Sequence, residues 1–176
     1  MKKFFLLFCG ALLGCAALGA QTRIPLLDRV SGHRVSCRYT YSLSKDGAPF
    51  QEVTAGSLEV EDDAFRLDGL GLQLVSDGTT RWTLDPEARE AVAEKVQPED
   101  PVSNPALLVS QYTRYADDLV VNASGKDFLD LTLRLDSRQQ ARFLLRDIVF
   151  GEPQGKSDFS LTEESLPEDY LFTDLR

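Results

Sequence analysis

The chain has 176 residues and is acidic, with 28 Asp and Glu against 19 Lys and Arg and a formal net charge of −9. This charge argues against nucleic acid or an anionic membrane surface as a direct electrostatic partner, because both are negatively charged. The length is sufficient for one domain with a hydrophobic core and does not require a second.

The first twenty residues have the layout of a secretory signal peptide. Lys2-Lys3 precedes the apolar run Phe4–Leu13, and small residues follow as far as Ala20. This run is shorter than the ~20 residues that a membrane-spanning helix requires. We therefore expect export and cleavage after Ala20 or after Gly19, of which Ala20 matches the small-residue pattern better.

The three cysteines exclude a disulfide framework. Cys9 and Cys15 lie in the signal region, so Cys37 is the single cysteine of the predicted domain, residues 21–176. Its place in an alternating apolar pattern predicts a small core residue. Cys15 has a second interpretation, because Leu12-Leu13-Gly14-Cys15 resembles the lipobox of bacterial lipoproteins. Cys15 would then be acylated and become the N-terminus.

The first half of the chain is predicted to be almost entirely β. Ile24–Val30 is compatible with one or two helical turns, with Pro25 early and Gly32 as a stop. Val35–Leu43 alternates apolar and polar residues, as a half-buried strand does. Short strands separated by polar or glycine-containing turns follow, and they predict an antiparallel meander: Val53–Val60, Ala64–Leu70, Leu72–Val75, Thr80–Leu84 and Ala91–Val96.

The second half contains one predicted helix and then returns to β patterning. Asn104-Pro105 is a favourable helix start, because asparagine caps and proline is tolerated at the first position. Apolar spacing from Leu107 to Tyr115 predicts two to three turns. The later β segments are Leu119–Val121, Phe128–Leu135, Ala141–Phe150, Phe159–Leu161 and Tyr170–Leu175. The predicted fold class is mainly β with short α-helices.

A β-hairpin is predicted around Asp77-Gly78, which lies between two apolar-patterned runs. A two-residue loop of these residues would place Trp82 on the face opposite Leu72 and Leu74. A three-residue loop of Ser76–Gly78 would instead pair Leu72 with Trp82. We favour the second register because it forms one continuous apolar face from Leu72, Leu74, Trp82 and Leu84.

Residues suited to catalysis are few. His33, the single histidine, stands beside Gly32, with no serine or cysteine nearby in the context of an activated nucleophile. Glu61-Asp62-Asp63 lacks the spaced ligands and glycine of a calcium loop. A transition-metal ligand set and a phosphate-binding glycine loop are missing from the sequence as well. The sequence predicts a protein that is not an enzyme and needs no metal or cofactor.

The alternating strands leave many apolar side chains to bury. In one interpretation, the sheet curls over its helices and packs a dry core. In the other, it stays partly open as a half-barrel whose concave face holds an apolar ligand. The pattern by itself is compatible with both.

A family resemblance is carried by the hairpin Leu74–Pro86, which reads LVSDGTTRWTLDP. This segment is similar to the VSDGxTxWxYxP pattern of the outer-membrane lipoprotein carrier family. Further segments resemble those of the family in the same order: Gly56–Val60, Phe65–Leu67, Asn104–Leu108 and Pro167–Arg176.

The resemblance implies a curved antiparallel sheet that forms an unclosed half-barrel covered by short helices. Its apolar cavity would shield the acyl chains of lipoproteins or other lipids in the periplasm, at ~0.8 kcal/mol per buried methylene. Such a carrier, expected to be a monomer, takes cargo from an inner-membrane transporter and passes it to an outer-membrane acceptor. The residues expected to line the cavity are Tyr39, Tyr41, Phe65, Leu67, Leu72, Leu74, Trp82, Leu84, Leu107, Leu108, Tyr112, Leu131 and Leu133.

Two departures from the family keep an alternative open. Only Ile24–Val30 is present where the family has a longer N-terminal helix. Glu61-Asp62-Asp63 stands where the family carries a basic residue followed by proline, which is associated with closing a lid. The alternative is an envelope sensor or protein-interaction module of the same fold that does not shuttle cargo.

Overall fold

The computed structural model describes residues 23–96 and 105–176, and these residues form one ten-stranded sheet. The fold is mainly β with short helices, as the sequence predicts. The helices are α1 (Pro25–Asp28) and α2 (Pro105–Ser110), with 3₁₀ turns at Tyr112–Tyr115, Lys156–Phe159 and Glu163–Ser165. The strands are β1 (Arg34–Lys45), β2 (Gln51–Glu61), β3 (Ala64–Gly69), β4 (Leu72–Ser76), β5 (Thr80–Asp85), β6 (Glu90–Lys95), β7 (Leu119–Ser124), β8 (Leu129–Arg134), β9 (Gln139–Gly151) and β10 (Leu171–Asp174).

The strand order is β10-β6-β5-β4-β3-β2-β1-β9-β8-β7, so β10 and β7 form the two edges and the sheet is unclosed. All neighbouring pairs are antiparallel except β10 and β6, which pair in parallel from Leu171 opposite Glu90. The predicted antiparallel sheet is therefore confirmed for all neighbouring pairs but the one at this edge. β10 reaches β6 only after a long excursion through β7, β8 and β9, and parallel pairing requires such a crossover.

Side-chain alternation separates the sheet into two faces. Cys37 lies opposite Leu58, Leu58 opposite Leu67, and Leu67 opposite Leu74. Paired residues share a face, so this row marks what we call the inner face. The main core is built on it, with α1 and α2 contributing side chains such as Leu27. Burial raises the pKa of the Cys37 thiol to about 12, as expected of a core residue.

The opposite, outer face is covered over β3 and β4 by residues 152–166, which we call the C-terminal strap. Phe159 of the strap is fully buried and packs with Ala64 and Val75. The guanidinium groups of Arg34 and Arg66 lie 4.8 and 5.9 Å from its ring centroid. Phe159–Leu161 is therefore not a strand, because the end of a 3₁₀ turn buries Phe159 against the sheet.

The register of the β4–β5 hairpin differs from the favoured prediction. Val75 pairs with Trp82, and the chain reverses at Gly78-Thr79, with Gly78 at φ +90°. The Asp77 carboxylate accepts the backbone N–H groups of Thr79 and Thr80, each at 2.8 Å. This local turn sets the register. Trp82 and Leu84 consequently lie on the outer face, opposite Leu72 and Leu74.

The helices are short. α1 is a single turn that begins at Pro25, and Gly32 adopts a positive φ of 75° after it, as a stop signal does. α2 continues into the 3₁₀ turn Tyr112–Tyr115 rather than as one regular helix. The signal-peptide and Cys15 predictions, and the predicted Asn104 cap, lie outside the described residues.

Candidate ligand-binding cavity

An apolar cavity of about 260 Å³ lies between the inner face of the sheet and α2. For comparison, an apolar cavity of about 150 Å³ stays dry and binds benzene. The walls come from β1–β5, β8, β9 and α2, and aliphatic and aromatic side chains predominate among them. The space is suited to an apolar ligand and offers few groups for hydrogen bonding.

More than half of the predicted lining residues surround this cavity. They belong to β1, β3, β4, β8 and α2, and the register places those on strands on the inner face. The predicted residues found in the wall are Tyr39, Tyr41, Leu67, Leu72, Leu74, Leu108 and Leu131.

The other predicted residues lie elsewhere. Phe65 and Leu133 are buried in the packed core without lining the cavity, and Leu107 is buried as well. Trp82 is only 3 % exposed but lies on the outer face beside the strap. Leu84 shares that face, because alternate residues of one strand point the same way.

Tyr112 has a structural position at the edge of the core. Its hydroxyl donates to the Asp28 carboxylate at 2.6 Å and accepts the backbone N–H of Ile24 at 3.2 Å. Burial is the main cause of its raised pKa. The two hydrogen bonds join α1 to the 3₁₀ turn after α2, and so hold both helical segments over the inner face.

Sequence reasoning missed about half of the cavity wall. Two of these residues follow directly from pairing with predicted ones, since Phe143 lies opposite Tyr41 and Leu145 opposite Tyr39. The apolar alternation of β9 could have identified both of these residues. The lining positions on β2 and in the β3–β4 turn depend instead on the register of separate strands. The missed residues are Thr54, Leu58, Gly69, Leu70, Arg81, Val109, Phe143 and Leu145.

The cavity floor is formed by Leu58, Val109 and Leu145. These three residues line the cavity and also a second void of about 10 Å³ that lies against α1. That volume is at the lower limit for one water molecule. The three side chains therefore separate the ligand-sized space from the well-packed region under α1.

The cavity mouth lies at the β3–β4 turn. Leu70 is 68 % exposed although it contributes to the cavity wall, and with Gly71 it forms the tip of the turn at φ values of 56° and 75°. Positive φ is costly for a residue with a Cβ, and asparagine or glycine is usual in such hairpins. A leucine at this position places an apolar side chain at the entrance.

Arg81 is the charged residue of the cavity wall. Its Nη2 and Nε donate to one carboxylate oxygen of Glu94, at 2.6 and 3.2 Å. Both side chains are partly exposed, at 24 % and 36 %. Arg81 pairs with Ser76, so this ion pair lies at the opposite end of β4 from the β3–β4 turn. Solvent screening limits what such a pair contributes to stability.

Aromatic packing shapes one wall. Tyr41 and Phe143 stack with ring centroids 5.0 Å apart, which is within the range of favourable aromatic pairs. Tyr39 covers two glycines, because a Cβ at Gly69 would be 2.2 Å from its hydroxyl oxygen and one at Gly56 would be 3.3 Å from its ring. The absence of side chains at these glycines makes room for the tyrosine.

Among the described residues, groups that could support catalysis do not converge on the cavity. His33 is exposed on the surface, with its ring edge-on to Phe150 at 5.9 Å. The described ranges contain no cluster of three or more His, Cys, Asp or Glu side chains arranged to hold a metal ion. Within residues 23–96 and 105–176, no helix has the length and apolar character needed to cross a membrane.

Comparison with models of known protein families gives no match, and no curated protein sequence matches the chain. The function of the cavity is therefore inferred from its geometry and chemistry.

Proposed function

We propose that this protein binds the acyl chains of lipoproteins or other lipids in the cavity and carries them through the periplasm toward the outer membrane. The observation that supports this most directly is the apolar cavity of about 260 Å³ under α2, with an exposed leucine at its mouth. A protein whose inner face served only as a dry core would not need a ligand-sized space there.

The wall chemistry supports desolvation as the role of the site. Aliphatic and aromatic side chains dominate the wall, and its charged residue, Arg81, forms an ion pair with Glu94. Transfer of an acyl chain into such a space gains ~0.8 kcal/mol per methylene. Binding of this kind requires neither a catalytic group nor a cofactor.

The direction of transport is proposed from the sequence. The predicted N-terminal signal peptide supports export, and the hairpin Leu74–Pro86 resembles that of lipoprotein carriers. In this proposal, the protein accepts cargo from an inner-membrane lipoprotein-releasing transporter and delivers it to an outer-membrane acceptor. The acidic surface would keep the carrier away from anionic lipid headgroups.

Photo-crosslinking in the native host tests the proposal. A photoreactive residue at Leu74 faces the cavity, whereas one at Gln73 lies on the outer face of the same strand. After irradiation, mass spectrometry should find lipoproteins or acyl lipids attached at position 74 and not at position 73. A folded protein that gives no lipid adduct at position 74, or equal adducts at both, would count against a lipid cavity and favour the interaction module.

A further inference from the structure

The volume of the cavity limits what it can hold. Scaled from the roughly 150 Å³ that accommodates the six carbons of benzene, about 260 Å³ accommodates about ten carbon atoms. This is enough for part of one acyl chain and too little for two or three chains side by side. Interiors are close-packed and do not expand freely, so a second chain would require displacement of α2 or of the strands.

The cavity is closed at one end and open at the other. Leu58, Val109 and Leu145 close one end above the small void at α1. The other end opens at Leu70 in the β3–β4 turn, where a polar group can stay in contact with water. A chain can therefore enter only with its methyl end toward the floor, because a polar headgroup at the floor would be buried without partners.

We propose that the cavity binds a single acyl segment of about ten carbons, methyl end first, and leaves the headgroup and any further chains of the ligand at the mouth. This inference rests on the proposed function and adds its ligand class: a single-chain acyl group, presented either by a monoacyl lipid or by one chain of a larger lipidated molecule.

A chain-length series measures this limit. The full chain, purified in the form in which its host accumulates it, is titrated with lysophosphatidylcholines whose saturated chains range from about six to about sixteen carbons, each below its critical micelle concentration. Affinity should rise about fourfold for each added methylene up to about ten carbons and then level off, because later methylenes stay in water. A diacyl phosphatidylcholine of matched chain length should bind with about the same affinity as the monoacyl lipid.

Substitutions at the cavity floor should change the chain length at which affinity levels off, which we call the break. Leu145→Phe adds three carbons to the floor and should shift the break to about seven carbons, and Leu145→Ala should shift it to about thirteen. Leu144→Phe is the matched control, because the neighbouring residue on β9 lies on the outer face and borders a different, open groove. It should leave the break unchanged. Circular dichroism and thermal melting establish that each variant is folded.

The outcomes separate the two proposals. Affinity that keeps rising steadily beyond about twelve carbons, or markedly tighter binding of the diacyl lipid, would refute the single-segment limit and leave lipid binding itself intact. A break that stays at the same length in folded Leu145→Phe and Leu145→Ala would refute the assignment of the floor. Failure of every lipid in the series to bind the folded protein would refute the proposed function.

Discussion

At the scale of single residues, two glycines determine how Tyr39 forms part of the cavity wall. Gly56 and Gly69 lie on adjacent strands under this tyrosine. The Tyr39 hydroxyl is buried, and burial is the main cause of its raised pKa. The residue therefore contributes through the packing of its ring, which needs backbone without a Cβ beneath it.

Gly56→Ala should destabilise the protein by about 1–3 kcal/mol, the usual range for overpacking. A Cβ at this position would lie 1.7 Å from the carbonyl oxygen of Asp68, so the β2 and β3 backbones would have to separate. Urea denaturation measures the change in the free energy of unfolding.

Gly151→Ala is the control for this comparison. A Cβ there has its nearest neighbour at 3.6 Å, an ordinary contact with the Arg34 carbonyl oxygen. We expect an effect within about 0.5 kcal/mol. Equal stability losses in the two variants would mean that general strand propensity, rather than the close approach at Gly56, accounts for the cost.

At the scale of elements, the C-terminal strap gives the sheet a second buried face. Glu61 accepts the backbone N–H groups of Gln154 and Gly155, at 3.0 and 2.7 Å. Asp158 forms a 2.8 Å salt bridge with Arg34. These polar contacts come from residues just before Phe159, so the strap is held by one buried ring and by the hydrogen bonds that precede it.

Phe159→Ala should cost about 3–5 kcal/mol, as removal of a fully buried phenylalanine does. Loss of the ring also leaves the Arg34 and Arg66 guanidiniums without their aromatic partner. The expected result is a lower urea midpoint together with faster proteolytic cleavage within residues 152–166.

Phe128→Ala serves as the comparison, because Phe128 is 37 % exposed. It should change stability much less than Phe159→Ala and leave cleavage of the strap unaffected. If Phe159→Ala kept full stability and a protected strap, the strap would not depend on the buried ring.

At the scale of the whole molecule, carboxylates paired with arginines influence how stability depends on pH. Hydrogen bonds from Arg142 are the largest cause of the lowered pKa of Asp130, a largely buried residue, and Asn122 contributes as well. Arg138 similarly lowers the pKa of Asp46 at the β1 turn, and Arg176 lowers that of Asp174 to about 2. The unfolded chain therefore binds more protons than the folded chain in acid.

Stability should fall as the pH is lowered below about 4. A carboxyl group whose pKa is lower in the folded state stabilises the fold above its ordinary value, 3.8 for Asp130. That stabilisation is lost as the pH falls through the folded-state pKa. Urea denaturation at a series of pH values measures the slope, and Asp130→Asn should make it shallower. Parallel curves for the two proteins would exclude Asp130 as a contributor.

The sequence by itself determined the fold class and the positions of most strands. Alternation with a period of two is a local property, so Val35–Leu43 and Ala141–Phe150 were recognisable without knowledge of their partners. Because the inner-face residues of these strands follow from the same alternation, much of the cavity wall was predictable too. Tyr39 and Tyr41 are examples.

Only the tertiary structure decided which faces are covered and where the cavity ends. The prediction for Trp82 assumed one apolar face, whereas the strap buries the outer face as well. That contact joins distant residues, since Arg66 donates to the carbonyl oxygen of Asp158, 92 positions along the chain. The floor at Leu58, Val109 and Leu145 likewise combines β2, α2 and β9. Local patterns do not specify which distant segments meet, because that depends on packing across the whole sheet.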